Sequence, residues 1–255
     1  MIAVGLAPWL QLLLVLARIL SFLVSAPLFN RRHIPGLSKI GLAMLLSLVV
    51  VAQGGVPVER DLGTFVSALV LEVTTGLAAG MLANWLLLCF QMGGAVIDQQ
   101  AGFGTAAVLD PTSLTQVSLV SNLLLYLSLV LFLALDGHHL ILLALLRSFF
   151  IVPAGSAALG VSWAEVVLTV MTGAASLTLR LAIPVVAALI ITDVTLGMLG
   201  RAVPQLNVLM LGLPAKAGVA LLVLAATSPL LLGVGDTLMV TLETELAKML
   251  GAMSP

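Results

Sequence analysis

Charge is nearly missing from this chain. Only 10 Lys or Arg and 11 Asp or Glu occur in 255 residues, 8% in all, and they balance to a net charge of -1. So few cations, spread along the chain, exclude nucleic acid and polyanionic surfaces as partners, because both need clustered positive side chains. Cysteine is reduced to Cys89, which lies inside an apolar run; no intrachain disulfide is possible, and the residue reads as a small buried hydrophobe. Aromatic residues are only 5%, which favours close helix packing over a porphyrin or quinone pocket. Catalytic signatures are missing too: no GxSxG elbow, HExxH pair or Walker loop occurs. His138 and His139 are neighbours; on a helix they point about 100° apart, and no carboxylate or Cys accompanies them at ligand spacing. No enzyme, metal or cofactor is therefore expected.

What the chain has in abundance is apolar surface, at 61% hydrophobic residues and a mean hydropathy of +1.25. Charge-free runs extend over Met1–Ala17, Ile40–Val58, Val73–Ile97 and Pro111–Leu135. Several exceed the roughly 18 residues that cross a bilayer. Backbone groups in such segments must be satisfied within the segment, and no alternating barrel pattern is present. The expected class is an all-α integral membrane protein. The first positive charge, Arg18, sits in the middle of the first apolar run rather than before it, so that run is expected to stay as a helix and not to act as a cleaved signal.

Punctuation along the chain predicts a first helix ending near Pro27, a basic connector from Arg31 to Lys39, and a second helix over Ile40–Ala52. The positive-inside rule puts that connector on the cytoplasmic side. A turn at Gln53–Pro57 precedes an apolar segment reaching Asp98, longer than one straight span requires, so it should kink, leave the membrane or lie inside an assembly. A loop is expected over Gln99–Leu114, then helices over Leu114–Leu135 and on to Ile151, with Asp136–His139 between them. Ser162 is placed to cap a helix that starts at Trp163 and runs past Pro184 to Leu199. Pro204 and Pro214 bracket a break before a last apolar helix, Ala215–Leu232. In the tail, Leu238, Leu242, Leu246 and Met249 recur at helical spacing with Glu243, Glu245 and Lys248 mainly off that stripe, the pattern of an amphipathic helix.

Charges at membrane depth cost about 3 kcal/mol or more and need a reason. Glu72 lies one turn before Gly76 and Gly80, a GxxxG pair that lets two backbones approach; a carboxylate beside such a contact must be paired or protonated. Asp193 and Arg201 are two turns apart and can face one partner surface if the helix is continuous. Between Pro204 and Pro214 some backbone groups must find protein or water instead of helix partners.

Ala26-Pro-Leu-Phe-Asn-Arg-Arg-His-Ile-Pro35 with Lys39, Gln99-Gln-Ala-Gly-Phe103, Asp110-Pro111, Asp136-Gly-His138, Leu196-Gly-Met-Leu-Gly-Arg-Ala-Val-Pro-Gln-Leu-Asn207 and Gly212-Leu-Pro-Ala-Lys216 together resemble the FliR family of flagellar biosynthetic proteins, subunits of the type III protein-export gate. The Arg-x-x-Pro-Gln-x-Asn run with its trailing Gly-x-Pro-x-Lys is the most specific part, and the resemblance spans nearly the whole chain. It implies a FliP-like part, about 1–185, followed by a FliQ-like helical hairpin and tail, about 186–255. It implies FliP, FliQ and other membrane proteins of the export apparatus as partners, unfolded proteins in transit, contact with membrane lipid, and a place in the bacterial inner membrane at the flagellar basal body. The matching plug loop is about Gly102–Thr115, with Gly102, Phe103, Gly104, Val108, Leu109, Asp110 and Pro111. Subunit contacts are expected at Glu72, Gly76, Gly80, Asp193, Arg201, Pro204, Gln205, Asn207 and Lys216. Two other readings stand beside this one. One is the equivalent subunit of a virulence-type injectisome. The other is a secondary transporter with a midplane site, suggested by charged, broken helices, although no convincing internal repeat is present.

Overall fold

The computed structural model describes residues 2–30, 34–53, 62–103, 118–157, 161–205 and 207–253. Among them are eight helices and no strand: α1 Ile2–Ser25, α2 Gly36–Ala52, α3 Leu62–Ala101, α4 Leu119–Ala134, α5 Gly137–Ile151, α6 Val161–Ala202, α7 Val208–Ala226 and α8 Ser228–Ala252. The chain is all-α, as its composition requires. Three helices are long and apolar enough to cross a membrane, or five spans result if each bent pair counts as one.

The helix ends follow local chemistry. After α1 the turn Ala26–Asn30 carries Leu28 at φ 69°, with Asn30 N–H donating to the Ala26 carbonyl at 3.0 Å. α2 starts at Gly36, ahead of the expected Ile40, because Pro35 has the fixed φ of -58° suited to the residue before a helix and its carbonyl accepts from Ser38 and Lys39. α2 packs against α1. α3 has 40 residues and no internal proline; at 1.5 Å per residue it extends about 60 Å, roughly twice the hydrocarbon core.

Four sequence expectations need correction. Gln99 and Gln100 are not loop residues but the last turn of α3, which Gly102 closes at φ 84°, a left-handed conformation that only glycine takes freely. α6 begins at Val161, so Ser162 sits in its first turn instead of capping it. The break before α7 spans only Val203–Asn207, and Pro214 lies inside α7: Asn207 caps this helix by accepting from Met210 N–H at 3.3 Å. Lastly, the apolar run expected as one helix over Ala215–Leu232 is broken at Thr227, between the end of α7 at Ala226 and the start of α8 at Ser228.

The chain forms two compact units, Met1–Leu86 with Asp136–Met171 and Met239–Pro255, and Leu87–Leu135 with Thr172–Leu238. The first has Val15, Ile19, Phe22 and Leu23 of α1, Leu82, Ala83 and Leu86 of α3, and Ile141 and Leu145 of α5 in its core. In this unit the tail stripe Leu242, Leu246 and Met249 is at most 2% exposed, as the amphipathic pattern predicts. Glu245 departs from that pattern: it is buried and held to Lys248 Nζ at 2.7 Å. The second unit buries Phe90 and Ile97 of α3, Leu124 and Phe132 of α4, and Val185 and Leu189 of α6.

Candidate functional site

The first unit is organised around a buried charge pair that joins three helices. Arg18, in the middle of α1, is fully buried, as is Glu72 of α3. Arg18 Nε and Nη2 donate to the two Glu72 carboxylate oxygens at 2.5 and 2.8 Å, a bidentate fork. The remaining nitrogen, Nη1, donates to the Val152 carbonyl at 2.9 Å and reaches Ser148 Oγ at 3.3 Å. The guanidinium carbon lies 4.4 Å from the centre of the Phe149 ring. Glu72 Oε1 also accepts from Gly155 N–H at 2.7 Å. Gly155 can present that N–H because it sits at φ 84° in a turn closed by Ser156 N–H to the Pro153 carbonyl, the backbone that a type II turn asks of glycine. Pro153 ends α5 and Gly155 aims the turn at Glu72. Every charge here is therefore met inside the chain.

The same carboxylate stands beside the GxxxG contact. A Cβ on Gly76 would collide with Ser21 Oγ and the Arg18 carbonyl, and one on Gly80 with Ser25 Oγ and the Phe22 carbonyl. α1 and α3 thus meet backbone to backbone along Gly76 and Gly80, with small serines opposite. Glu72, Gly76 and Gly80, expected at contacts with other subunits, here face α1 of their own chain. The partner that sequence reasoning missed is Arg18. The signal was present: two opposite charges in separate apolar runs each need a counter-charge.

In the second unit, Asp98 near the end of α3 caps α4 from outside. Its two oxygens accept from Val120 and Ser121 N–H, both at 2.9 Å, and the side chain is buried. The N-cap residue of α4, Ser118, makes no side-chain cap bond, so the first-turn donors are met by a carboxylate that also suits the helix dipole. Gly94 permits the approach, since a Cβ there would strike the Ser121 backbone. Sequence reasoning treated Asp98 only as a helix boundary.

A third polar group joins α3, α6 and α7 in this unit. Lys216 Nζ lies 2.7 Å from Asp193 Oδ1, and Gln100 Nε2 donates to Asp193 Oδ2 at 3.0 Å. The group is half-exposed, with the Lys216 side chain 17% and that of Asp193 41% accessible. α6 is continuous through Asp193 and Arg201, yet the two residues do not share a partner: Arg201 is exposed and forms no ion pair among the described residues. Pro204, Gln205 and Asn207 are exposed beside it.

At the α4–α5 joint, Asp136 takes the left-handed conformation at φ 54°. Here the expectation that no carboxylate accompanies the histidines is corrected. Asp136 Oδ1 lies 3.6 Å from His139 Nδ1, and the donor atoms of Asp136, His138 and His139 lie within 4.8 Å of one another. The two imidazole centroids lie 4.3 Å apart with their planes tilted by 34°. Of the loop expected as a plug, Gly102 and Phe103 close α3; Gly104, Val108, Leu109, Asp110 and Pro111 lie outside the described residues.

Long apolar helices, with the buried charges Arg18, Glu72 and Asp98 satisfied within the chain, define a membrane scaffold, and comparison with known proteins gives it a family. The family model described as bacterial export proteins, family 1, matches residues 9–242. The chain belongs to the bacterial export proteins, family 1. Within that export family it is 30% identical to the flagellar biosynthetic protein FliR of Bacillus subtilis (strain 168) over 91% of this chain and 92% of the relative, and 31% identical to that of Aquifex aeolicus (strain VF5) over 87% and 86%. Yop proteins translocation protein T of Yersinia pestis is 27% identical over 85% of each chain. The resemblance carried by the sequence motifs is thereby confirmed.

Proposed function

We propose that this chain is a structural subunit of the flagellar type III export gate, lodged in the bacterial inner membrane and assembled with FliP and FliQ into the channel for unfolded flagellar proteins. The observation that carries the reading is the match to flagellar biosynthetic proteins over 91% of the chain. Helices about twice as long as the hydrocarbon core is thick fit a subunit surrounded by other subunits better than one surrounded by lipid. In this reading, 1–185 forms the FliP-like part and 186–255 the FliQ-like hairpin. Arg201, Pro204, Gln205 and Asn207 are exposed and suit contacts with neighbouring subunits, whereas Glu72, Gly76 and Gly80 are already occupied by α1. The loop from Gly102 closes the resting channel.

The test is affinity purification of a tagged chain from membranes of its own host, together with deletion of its gene. Recovery of FliP and FliQ with the tagged chain, and loss of flagella on deletion, are the expected results. The match to the Yersinia translocation protein supports the injectisome as a second reading: deletion would then spare flagella and abolish secretion of virulence proteins. A monodisperse chain without companion subunits would overturn both.

A further inference from the structure

The first unit holds a cleft of about 170 Å³ between α5 and α8, lined by Leu140, Leu143 and Ile151 of α5 and Leu250 of α8, with Arg147 and Glu243 on its walls. Both charged side chains are exposed, and neither has a hydrogen-bond or ion-pair partner among the described residues. Although they line one cleft with opposite charge, they do not pair with each other. In this respect they differ from Arg18, Glu72, Asp98, Asp193 and Lys216, which all find a partner inside the chain. Nor is their surrounding aqueous in character: Leu143 is 49%, Phe150 75% and Ile151 41% exposed. An unmatched cation and anion set in exposed apolar surface suit a neighbour that is dipolar at one end and apolar at the other.

We propose that this cleft binds an aminophospholipid of the phosphatidylethanolamine type, its phosphate on Arg147, its ammonium on Glu243 and an acyl chain along Leu140, Leu143, Ile151 and Leu250. The arrangement of α8 agrees: its apolar stripe is buried while Glu243 and Lys248 face outward, as in a helix lying at the headgroup level. Lys248 is already held by Glu245, which leaves Glu243 for the ligand. An anionic lipid such as phosphatidylglycerol would satisfy Arg147 but meet repulsion from Glu243, so the paired charges select a zwitterion. The inference does not depend on the export reading, since it rests on the cleft alone.

The test is native mass spectrometry of the full chain, with whatever membrane subunits accompany it, after exchange into equal mixtures of phosphatidylethanolamine and phosphatidylglycerol. Wild type should retain the ethanolamine lipid about tenfold more, the ratio that a single ion pair of roughly 1.4 kcal/mol gives. Glu243→Gln should abolish that preference while lipid is still retained, and Arg147→Gln should lose both lipids. Neither side chain has a partner to lose, so both variants should keep wild-type helicity by circular dichroism. Equal retention of the two lipids by wild type, or a preference unchanged in Glu243→Gln, overturns the proposal. So does an absence of retained lipid with Leu143→Cys crosslinking to a companion subunit, which would make the cleft a protein interface.

Discussion

At the scale of single residues, stability rests on a few polar groups with no alternative partner. Arg18 and Glu72 satisfy each other in a site closed to water, so removing one leaves the other charged and uncompensated, at a cost of about 3 to 5 kcal/mol. Arg18→Ala and Glu72→Ala should each lower the denaturation midpoint in detergent by that measure, whereas Arg180→Ala, at an exposed position of α6, should lie within about 0.5 kcal/mol of wild type. Replacing both partners with Met should be milder than either single change, because no charge is then stranded. Asp98 makes a comparable but smaller case. Asp98→Asn keeps one acceptor for the first turn of α4, while Asp98→Ala leaves two buried N–H groups unmet at about 1 to 3 kcal/mol each; the alanine variant should unfold at clearly lower denaturant, and equal midpoints for the two would refute the tertiary cap.

At the scale of elements, glycines of identical helical propensity should respond with opposite sign. Gly76→Ala places a Cβ into Ser21 and the Arg18 backbone, forcing α1 and α3 apart and costing about 1 to 3 kcal/mol as overpacking. Gly173→Ala meets nothing within 4 Å, so the better helix former should add roughly 0.5 to 1 kcal/mol. Paired thermal melts would read the contrast, and a loss of similar size at both positions would show that helix propensity rather than the α1–α3 contact governs. The loop that follows Gly102 carries the element-level prediction about function. Shortening it between Phe103 and Val108 should leave the assembled complex intact but raise ion conductance of membranes that contain it; background conductance in a complex of normal composition would remove the plug role.

At the scale of the molecule, the internal pairing of Arg18, Glu72, Asp98, Asp193 and Lys216 alters what would drive assembly in the proposed gate. The unmatched charges that pointed from the sequence to companion subunits are for the most part already matched. What remains for neighbouring subunits in that reading includes apolar surface, with Val194, Met198, Met210 and Leu222 each 60% or more exposed, and Arg201. Arg201→Ala should therefore reduce recovery of companion subunits in pull-downs while the chain itself stays folded. Asp193→Ala should instead destabilise the chain, since it strands Lys216. If both variants recover companions equally and melt alike, Arg201 has no place in the assembly.

The helical class and the membrane setting followed from the sequence alone, because hydropathy over charge-free runs is a property of composition and needs no partner. The family was legible for a related reason: Arg201-Ala-Val-Pro-Gln-Leu-Asn207 and Gly212-Leu-Pro-Ala-Lys216 are local strings, readable without knowing what they touch. The tail stripe Leu238, Leu242, Leu246 and Met249 likewise declares its buried face through period alone. Tertiary structure decided what depends on residues distant in sequence. It gave Glu72 its partner 54 positions away, made Asp98 the cap of a different helix, and joined Asp193 to Lys216. It also carried α7 through Pro214, which lies beyond the first turn and so forgoes the helix bond its N–H would make to the Met210 carbonyl. A charge in an apolar run announces that it needs a counter-charge, but only the packing of one helix against another determines which residue supplies it.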